Sequence, residues 1–254
     1  ARAVVFLREN NTVDRIAAEG GVTASESGES HLVARAPRGE FRMDEKDTLR
    51  SGELLGGVTL EGSGTTTFAG RASRVAMEFG GQNRLTRVRA LDQVQLKQTP
   101  AAVAKGKGKG QASQPMELTA GAVDLVIATG NRIERALIAG SPQIRLLPTG
   151  GASPTTTTVT AEQFQASFDS DNRPRALHGA PQARIVSTTP GQLDKVSTSR
   201  ELDVFFDRGG GIASVVQQGE VRYNEGDRRA SGDKGRFFPA DGTVELTGSP
   251  QATD

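Results

Sequence analysis

Apolar residues in this chain recur at every second position over short runs, and the runs stop at clusters of Gly, Asn, Asp or Pro. Val75, Met77 and Phe79 alternate with Arg74 and Glu78, and Phe164, Ala166 and Phe168 alternate with Gln163, Gln165 and Ser167. Leu202, Val204 and Phe206 alternate with Glu201, Asp203 and Asp207, with Phe205 as the exception. A period of two sets one row of side chains against a core and leaves the other in water, which is the pattern of half-covered strands. A helix would need apolar residues three and four apart. The nearest helical candidate, VDRIAAEG at 13–20, occupies the slot of a second strand. Between runs stand GGQN, TGN, DSDN and RGGG, made of residues that accept positive φ or form Asx turns, as hairpin tips require.

The wording of these runs repeats. NRLTRVRALDQVQL at 83–96 returns as NRIERALIAGSPQI at 131–144. Aligned on the position two residues after a Gly or its equivalent, the repeat recurs at Val22, Val58, Val94, Pro142, Pro181, Val221 and Pro250, with gaps of 36, 36, 48, 39, 40 and 29. The longest gap contains KGKGKGQASQP, which reads as an insertion. A second phrase precedes each turn: FAGRASRVAMEF, LTAGAVDLVIAT, VTAEQFQASFDS and VSTSRELDVFFD. Each unit is therefore strand, turn, strand. Proline donates no ladder hydrogen bond, so Pro142, Pro181 and Pro250 mark a bend between two short strands, and each hairpin is expected to fold over a corner.

The fold expected is all-β: repeated bent antiparallel hairpins stacked into an elongated jelly roll, a β-taco with two facing sheets. Residues 1–254 form one array of about seven hairpin repeats with a flexible loop at 100–115. Thirty-one Gly and eleven Pro favour turns over long helices.

Charge narrows the partners. Thirty-one Lys and Arg balance thirty Asp and Glu without a basic stripe, so no nucleic-acid partner is expected. Cysteine is absent, which excludes disulfides, thiolate metal sites and a Cys nucleophile. His31 and His178 are the two histidines, both in polar context, and no motif pairs carboxylates for acid–base work. DSDN at 169–172 reads as a hairpin tip rather than a Ca²⁺ loop. No catalytic residue, metal or cofactor is expected, and the chain is read as not an enzyme. No apolar run reaches the length of a membrane span, and the chain opens directly on AVVFLREN, as expected of a processed product preceded by a leader or anchor.

The recurring phrases TAxxhxhxh, a turn with Asn or Gly, and xxhxAxGxV resemble the OstA-like family, the periplasmic lipopolysaccharide-transport proteins of the LptA and LptC type, over essentially the whole chain. The resemblance implies a jelly roll whose apolar interior takes the acyl chains of lipopolysaccharide, or a related glycolipid, and carries the lipid across the periplasm toward the outer membrane. On the positions that match, the implied lining is Val75, Met77, Phe79, Val123, Leu125, Ile127, Phe164, Phe168, Leu202, Val204 and Phe206, with Leu85, Ile133, Ile144, Ile185, Val221 and Tyr223 from the second strands. It also implies partners: other jelly-roll proteins of the transport bridge, or further copies of this chain, joined through edge strands. Val4, Val5, Phe6 and Leu7 are the edge positions expected to carry such assembly, being apolar, β-prone and terminal. Anchorage to the inner membrane would come from a segment missing from this chain.

Two rival readings use the same pattern. A parallel β-solenoid, structural or carbohydrate-binding, also repeats Gly, Asn and alternating apolar residues, but ten Phe, one Tyr and no Trp make a poor sugar platform. A scaffold without ligand would have the same inward residues as a dry core. KGKGKG at 105–110 reads either as flexible loop or as an electrostatic contact with anionic headgroups.

Overall fold

A computed structural model describes residues 1–27, 31–63, 66–100, 114–148, 154–208, 211–238 and 243–253. The loop expected at 100–115, including KGKGKG, lies almost wholly outside these residues, as do the side chain of His31 and two glycines of RGGG.

The chain is a meander of strands. β1 (Arg2–Leu7), β2 (Val13–Ser27), β3 (His31–Met43), β4 (Leu49–Ser63), β5 (Thr66–Gly80), β6 (Arg84–Pro100) and β7 (Met116–Ala128) follow one another. Four strands then run in two pieces each: β8 (Arg132–Ala139) with β9 (Gln143–Leu146), β10 (Thr156–Thr160) with β11 (Gln163–Phe168), β12 (Pro174–Ala180) with β13 (Ala183–Thr188), and β14 (Lys195–Ser199) with β15 (Glu201–Phe206). β16 (Ile212–Glu225), β17 (Arg228–Phe238), β18 (Thr243–Thr247) and β19 (Gln251–Thr253) complete it. All described pairings are antiparallel and belong to one 19-stranded sheet. Parallel coils of a solenoid are therefore not formed. The only helical element described is a 3₁₀ turn, Gly81–Asn83.

The sheet folds on itself along a crease. On alternate strands, β12–β13 excepted, two consecutive residues take positive φ: Gly20 and Gly21, Gly56 and Gly57, Asp92 and Gln93, Gly140 and Ser141, Gly219 and Glu220, Gly248 and Ser249. Each pair adds one residue relative to the following strand, so the register slips, as between Glu19/Val22, Leu55/Val58 and Leu91/Val94. An extra residue in one strand bends it and sharpens its twist. Directly after each pair the chain turns a small or β-branched side chain inward, and this line is closed to solvent over most of its length: Val58, Val94, Pro142 and Val221, with Ala36, Ala72, Ala120 and Ala161 from the intervening strands. The sequence repeat is thus the crease. Its fifth member is displaced by two residues: the Ala180–Pro181 bond is cis, Gln182 carries the positive φ, and the buried crease residue is Ala183 rather than Pro181.

Backbone contact pins the crease. The Gly121 amide donates to the Gly140 carbonyl at 3.0 Å, and a Cβ on Gly140 would come within 2.8 Å of the Gly121 Cα. Two glycines face each other because no side chain fits between the strands there. Arg200 to Gly219 (2.8 Å), Asp233 to Gly248 (2.9 Å) and Glu162 to Pro181 (3.1 Å) are the same amide-to-carbonyl contact further along.

Hairpin tips are stitched to one another by the recurring Asn. Asn83, Asn131 and Asn172 all take positive φ, as does Asp47. The Asn83 side-chain carbonyl accepts from the Leu49 amide (2.7 Å), that of Asn172 from the Ile133 amide (2.6 Å), and the Asp47 carboxylate from the Val13 amide (2.7 Å). Asx side chains suit left-handed turns, and here they also satisfy an amide at the start of the strand one hairpin back. Arg8 does similar work at the first tip, donating to the carbonyls of Met43 (2.6 Å) and Asp44 (3.0 Å).

Register aligns three large rings over glycines: Phe41 with Gly52, Phe68 with Gly62, and Phe164 with Gly179. Each ring lies across the neighbouring strand where a side chain would stand. Phe164 is fully buried, and a Cβ on Gly179 would meet its ring at 2.6 and 2.8 Å. Gly179→Ala is expected to lower stability by about 1–3 kcal/mol through overpacking. Gly81→Ala, at a tip with open space around it, is expected to change stability by no more than about 0.5 kcal/mol. Urea unfolding of both variants measures the contrast.

Candidate functional site: an apolar interior open along part of its length

The crease divides the sheet into two walls, and the ladder registers resolve their inner faces into rows. On the first wall the row nearest the crease runs Gly39, Leu54, Val75, Ala90, Val123, Ile138, Phe164, Gly179, Leu202, Gln217, Gly235. The next runs Phe41, Gly52, Met77, Val88, Leu125, Ala136, Ala166, Leu177, Val204, Val215, Phe237 over the same pairings. At the tips, bulged pairs close the hairpins: Phe79 with Leu85, Ile127 with Ile133, Phe168 with Pro174, Phe206 with Ile212. The second wall carries Ala34, Leu60, Gly70, Leu96, Leu118, Ile144, Val159, Ile185, Ser197, Tyr223.

These rows place the lining residues named from sequence. Val75, Met77, Val123, Leu125, Phe164, Leu202 and Val204 share the first wall's two inner rows; Phe79, Leu85, Ile127, Ile133, Phe168 and Phe206 stand at the tips. Ile144, Ile185 and Tyr223 lie on the second wall, and Val221 sits on the crease. Phe205, the exception to alternation, faces outward and is 43% exposed. Sequence reading passed over Leu54, Val88, Ala90, Leu96, Leu118 and Ile138, which complete the same rows. Alternation in GELLGGVTL and RVRALDQVQL carries that signal once the crease slip is known.

Burial along the first wall is uneven. From β8 to β16 the inner positions are closed: Ala136, Ile138, Phe164, Ala166, Leu177, Leu202, Val204 and Val215 are all at or below 9% exposure. From β5 to β7 the corresponding Val75, Met77, Val88, Ala90, Val123 and Leu125 are only half-buried, although each strand has a neighbour on both sides. A mid-sheet inner residue can meet solvent only where the facing wall does not cover it. The core continues beneath this stretch, where Val75, Val123 and Leu125 touch the main buried cluster.

Toward the C-terminal end the interior turns polar. Ser197 Oγ donates to Gln217 Oε1 at 2.5 Å, and Gln217 Nε2 donates to Ser199 Oγ at 3.1 Å. Ser197 belongs to the second wall and Gln217 to the first, so these bonds tie the walls together beside the crease. Both Gln217 and Ser199 are buried with their polar atoms satisfied. Tyr223 adds a bond to Glu225 at 3.0 Å.

Outside, charges pair across strands: Arg35 with Glu61 (2.8 Å), Arg74 with Glu53 (3.0 Å), and Glu117 between Lys97 (3.5 Å) and Arg145 (3.2 Å). Exposed pairs of this kind contribute little each, about 0–1 kcal/mol. Arg87 grips Asp124 with two bonds and holds its carboxyl below the usual range. The Asp169 carboxylate accepts the amides of Arg173 and Asp171, both at 2.9 Å, which lowers it likewise and shows DSDN as a closed Asx turn. His178 Nδ1 lies 2.8 Å from Asp203 on the outer face. No group of three His, Asp or Glu that could hold a metal ion occurs among the described residues. The edge strand β1 pairs with β2 from Arg2↔Glu19 to Leu7↔Val13; Val4 is half-buried, while Val5, Phe6 and Leu7 are 52, 39 and 58% exposed. The Arg15 guanidinium lies 4.1 Å over the Phe6 ring.

Tyr223, the one tyrosine of the chain, reports the polar end of the interior. Burial, reinforced by Glu225, pushes its phenol up to about 12. A raised folded value means that stability from this group is complete below the ordinary tyrosine value near 10 and is lost as pH rises through about 12. An ultraviolet pH titration is expected to give a phenolate midpoint near 12 in the native protein and near 10 in urea; a native midpoint near 10 would show the ring in water. No family model and no curated protein sequence matches this chain.

Proposed function

We propose that this chain is a non-catalytic, OstA-like lipid carrier of the periplasm, which holds the acyl chains of lipopolysaccharide or a related glycolipid between its walls during transfer toward the outer membrane. The observation that carries this reading is the half-buried stretch of apolar inner rows in the middle of the array. Fully burying one Val, Leu or Met side chain is worth about 1.5–3 kcal/mol, so a sheet that leaves six such positions partly wet, Ala90 among them, forgoes stability that a closed core would have. Hydrocarbon restores it. Each methylene moved from water contributes about 0.8 kcal/mol without directional contacts, which suits a lining of Val, Leu, Met and Phe.

Transfer between proteins would run through edge pairing. β1 is short, apolar and exposed, and among the described residues β2 beyond Glu19 has a strand partner only on the β3 side, so a strand from another jelly roll or a second copy fits there. With benzoylphenylalanine at Phe79 or Leu125, both on the half-buried stretch, the protein is expected to crosslink to lipopolysaccharide under ultraviolet light, whereas the same group at the outward Phe205 is not. Equal capture at all three, or none at any, would leave a scaffold without ligand.

A further inference from the structure

We propose that the acyl amphiphile bound here carries an anionic headgroup and enters sideways over the tips of β5–β6 and β7–β8, with Arg84 and Arg132 holding the head while the chains lie on the half-buried rows beneath. The inference rests on the lipid reading above and gives it a place and a polarity.

Two independent features coincide at this stretch. First, in the middle of the array the half-buried positions of the first wall's two inner rows lie on β5–β7, between Leu54 at 0% exposure on one side and Ala136 and Ile138 at 3 and 6% on the other; these rows open again only toward the ends, at Phe41 and Phe237. Within the array, uncovered apolar surface for hydrocarbon lies between these limits. Second, the charge of the hairpin tips changes over the same limits. The preceding tip contains Asp44, Glu45 and Asp47 with Lys46, and the following tip contains Asp169 and Asp171 with Arg173. The two tips over the open stretch, 80–84 and 129–132, contain no carboxylate and carry Arg84 and Arg132.

Arg84 is exposed and donates to Thr129 Oγ1 at 2.9 Å, which joins the two tips and brings the arginine across toward the second. Behind them Asp124 is occupied by Arg87 and Glu78 by Arg89, while Glu134 is the acid next along β8. A phosphate at the rim therefore meets cationic tips at the open stretch and acidic tips on either side. Guanidinium groups suit phosphate and carboxylate oxygens through paired N–H donors. This complementarity selects an anionic amphiphile over a neutral one and fixes where along the array its head stands.

Calorimetric titration with 1-palmitoyl lysophosphatidic acid, monopalmitoylglycerol and inorganic phosphate separates the possibilities. The lysophosphatidic acid is expected to bind at least about tenfold more tightly than the glyceride, and phosphate alone is expected not to bind. In the Arg84→Gln, Arg132→Gln double variant the two lipids are expected to bind equally. Because the chain lacks cysteine, Met77→Cys and Leu177→Cys supply a second readout: the lipid is expected to protect the first from maleimide, while the second reacts slowly with or without it. Equal affinity for both lipids in the unaltered protein, or a preference that survives in the double variant, overturns the inference and leaves the lipid reading standing. Binding of phosphate alone as tightly as the phospholipid also overturns it, since the site would then be an anion site. Binding of neither lipid overturns both readings.

Discussion

Everything in this molecule depends on a bend made by backbone conformation. A two-residue left-handed step, repeated on alternate strands, folds one continuous antiparallel sheet into two walls and sets the same corner at each crossing. Small side chains behind the step, and amide-to-carbonyl contacts across it, hold the walls at a common line. Once the corner is fixed, alternation along each strand decides by itself which side chains enter the interior.

Two energetic demands then compete along the array. Between β8 and β16 the inner rows are closed, with Phe164 and Leu202 fully buried and ring-over-glycine packing at Gly179. This half supplies the cohesion of a hydrophobic core. Between β5 and β7 the same rows are partly uncovered, so burial energy is deferred to whatever fills the space. The polar bonds among Ser197, Ser199 and Gln217 make the C-terminal interior less suitable for hydrocarbon, because a chain passing there would displace satisfied hydrogen bonds. An apolar passage of even quality from end to end is not what the side chains form.

Much of this was legible in the sequence because the determinants are local. Gly20–Gly21–Val22 and Gly56–Gly57–Val58 announce both the left-handed step and the buried residue behind it, and alternation in RVAMEF assigns an inner face without reference to any other strand. Asp92–Gln93 takes the same step with no glycine, so only its 36-residue spacing from Gly56 reveals it. At Pro181 the local wording misleads: Gly179 looks like the start of a step, yet it lies under the Phe164 ring, and the crease residue is Ala183. The Asn of the NR phrase was readable as a turn former, while its bond to a strand one hairpin away was not. Nor could sequence distinguish Val75 and Val123 from Ile138 and Val204, since all four alternate alike and only the separation of the walls makes the first two accessible.

The proposed carrier requires an interior that opens to hydrocarbon at one stretch and stays closed at another. Pulsed electron spin resonance on a chain without native cysteine tests it directly. One pair of spin labels at Ala76→Cys and Lys97→Cys spans the walls beside the open stretch, and a second at Gln165→Cys and Arg184→Cys spans them over the closed one. Adding lipopolysaccharide should lengthen or broaden the first distance and leave the second unchanged. If neither distance responds, or both shift together, the division into an open and a closed interior is wrong.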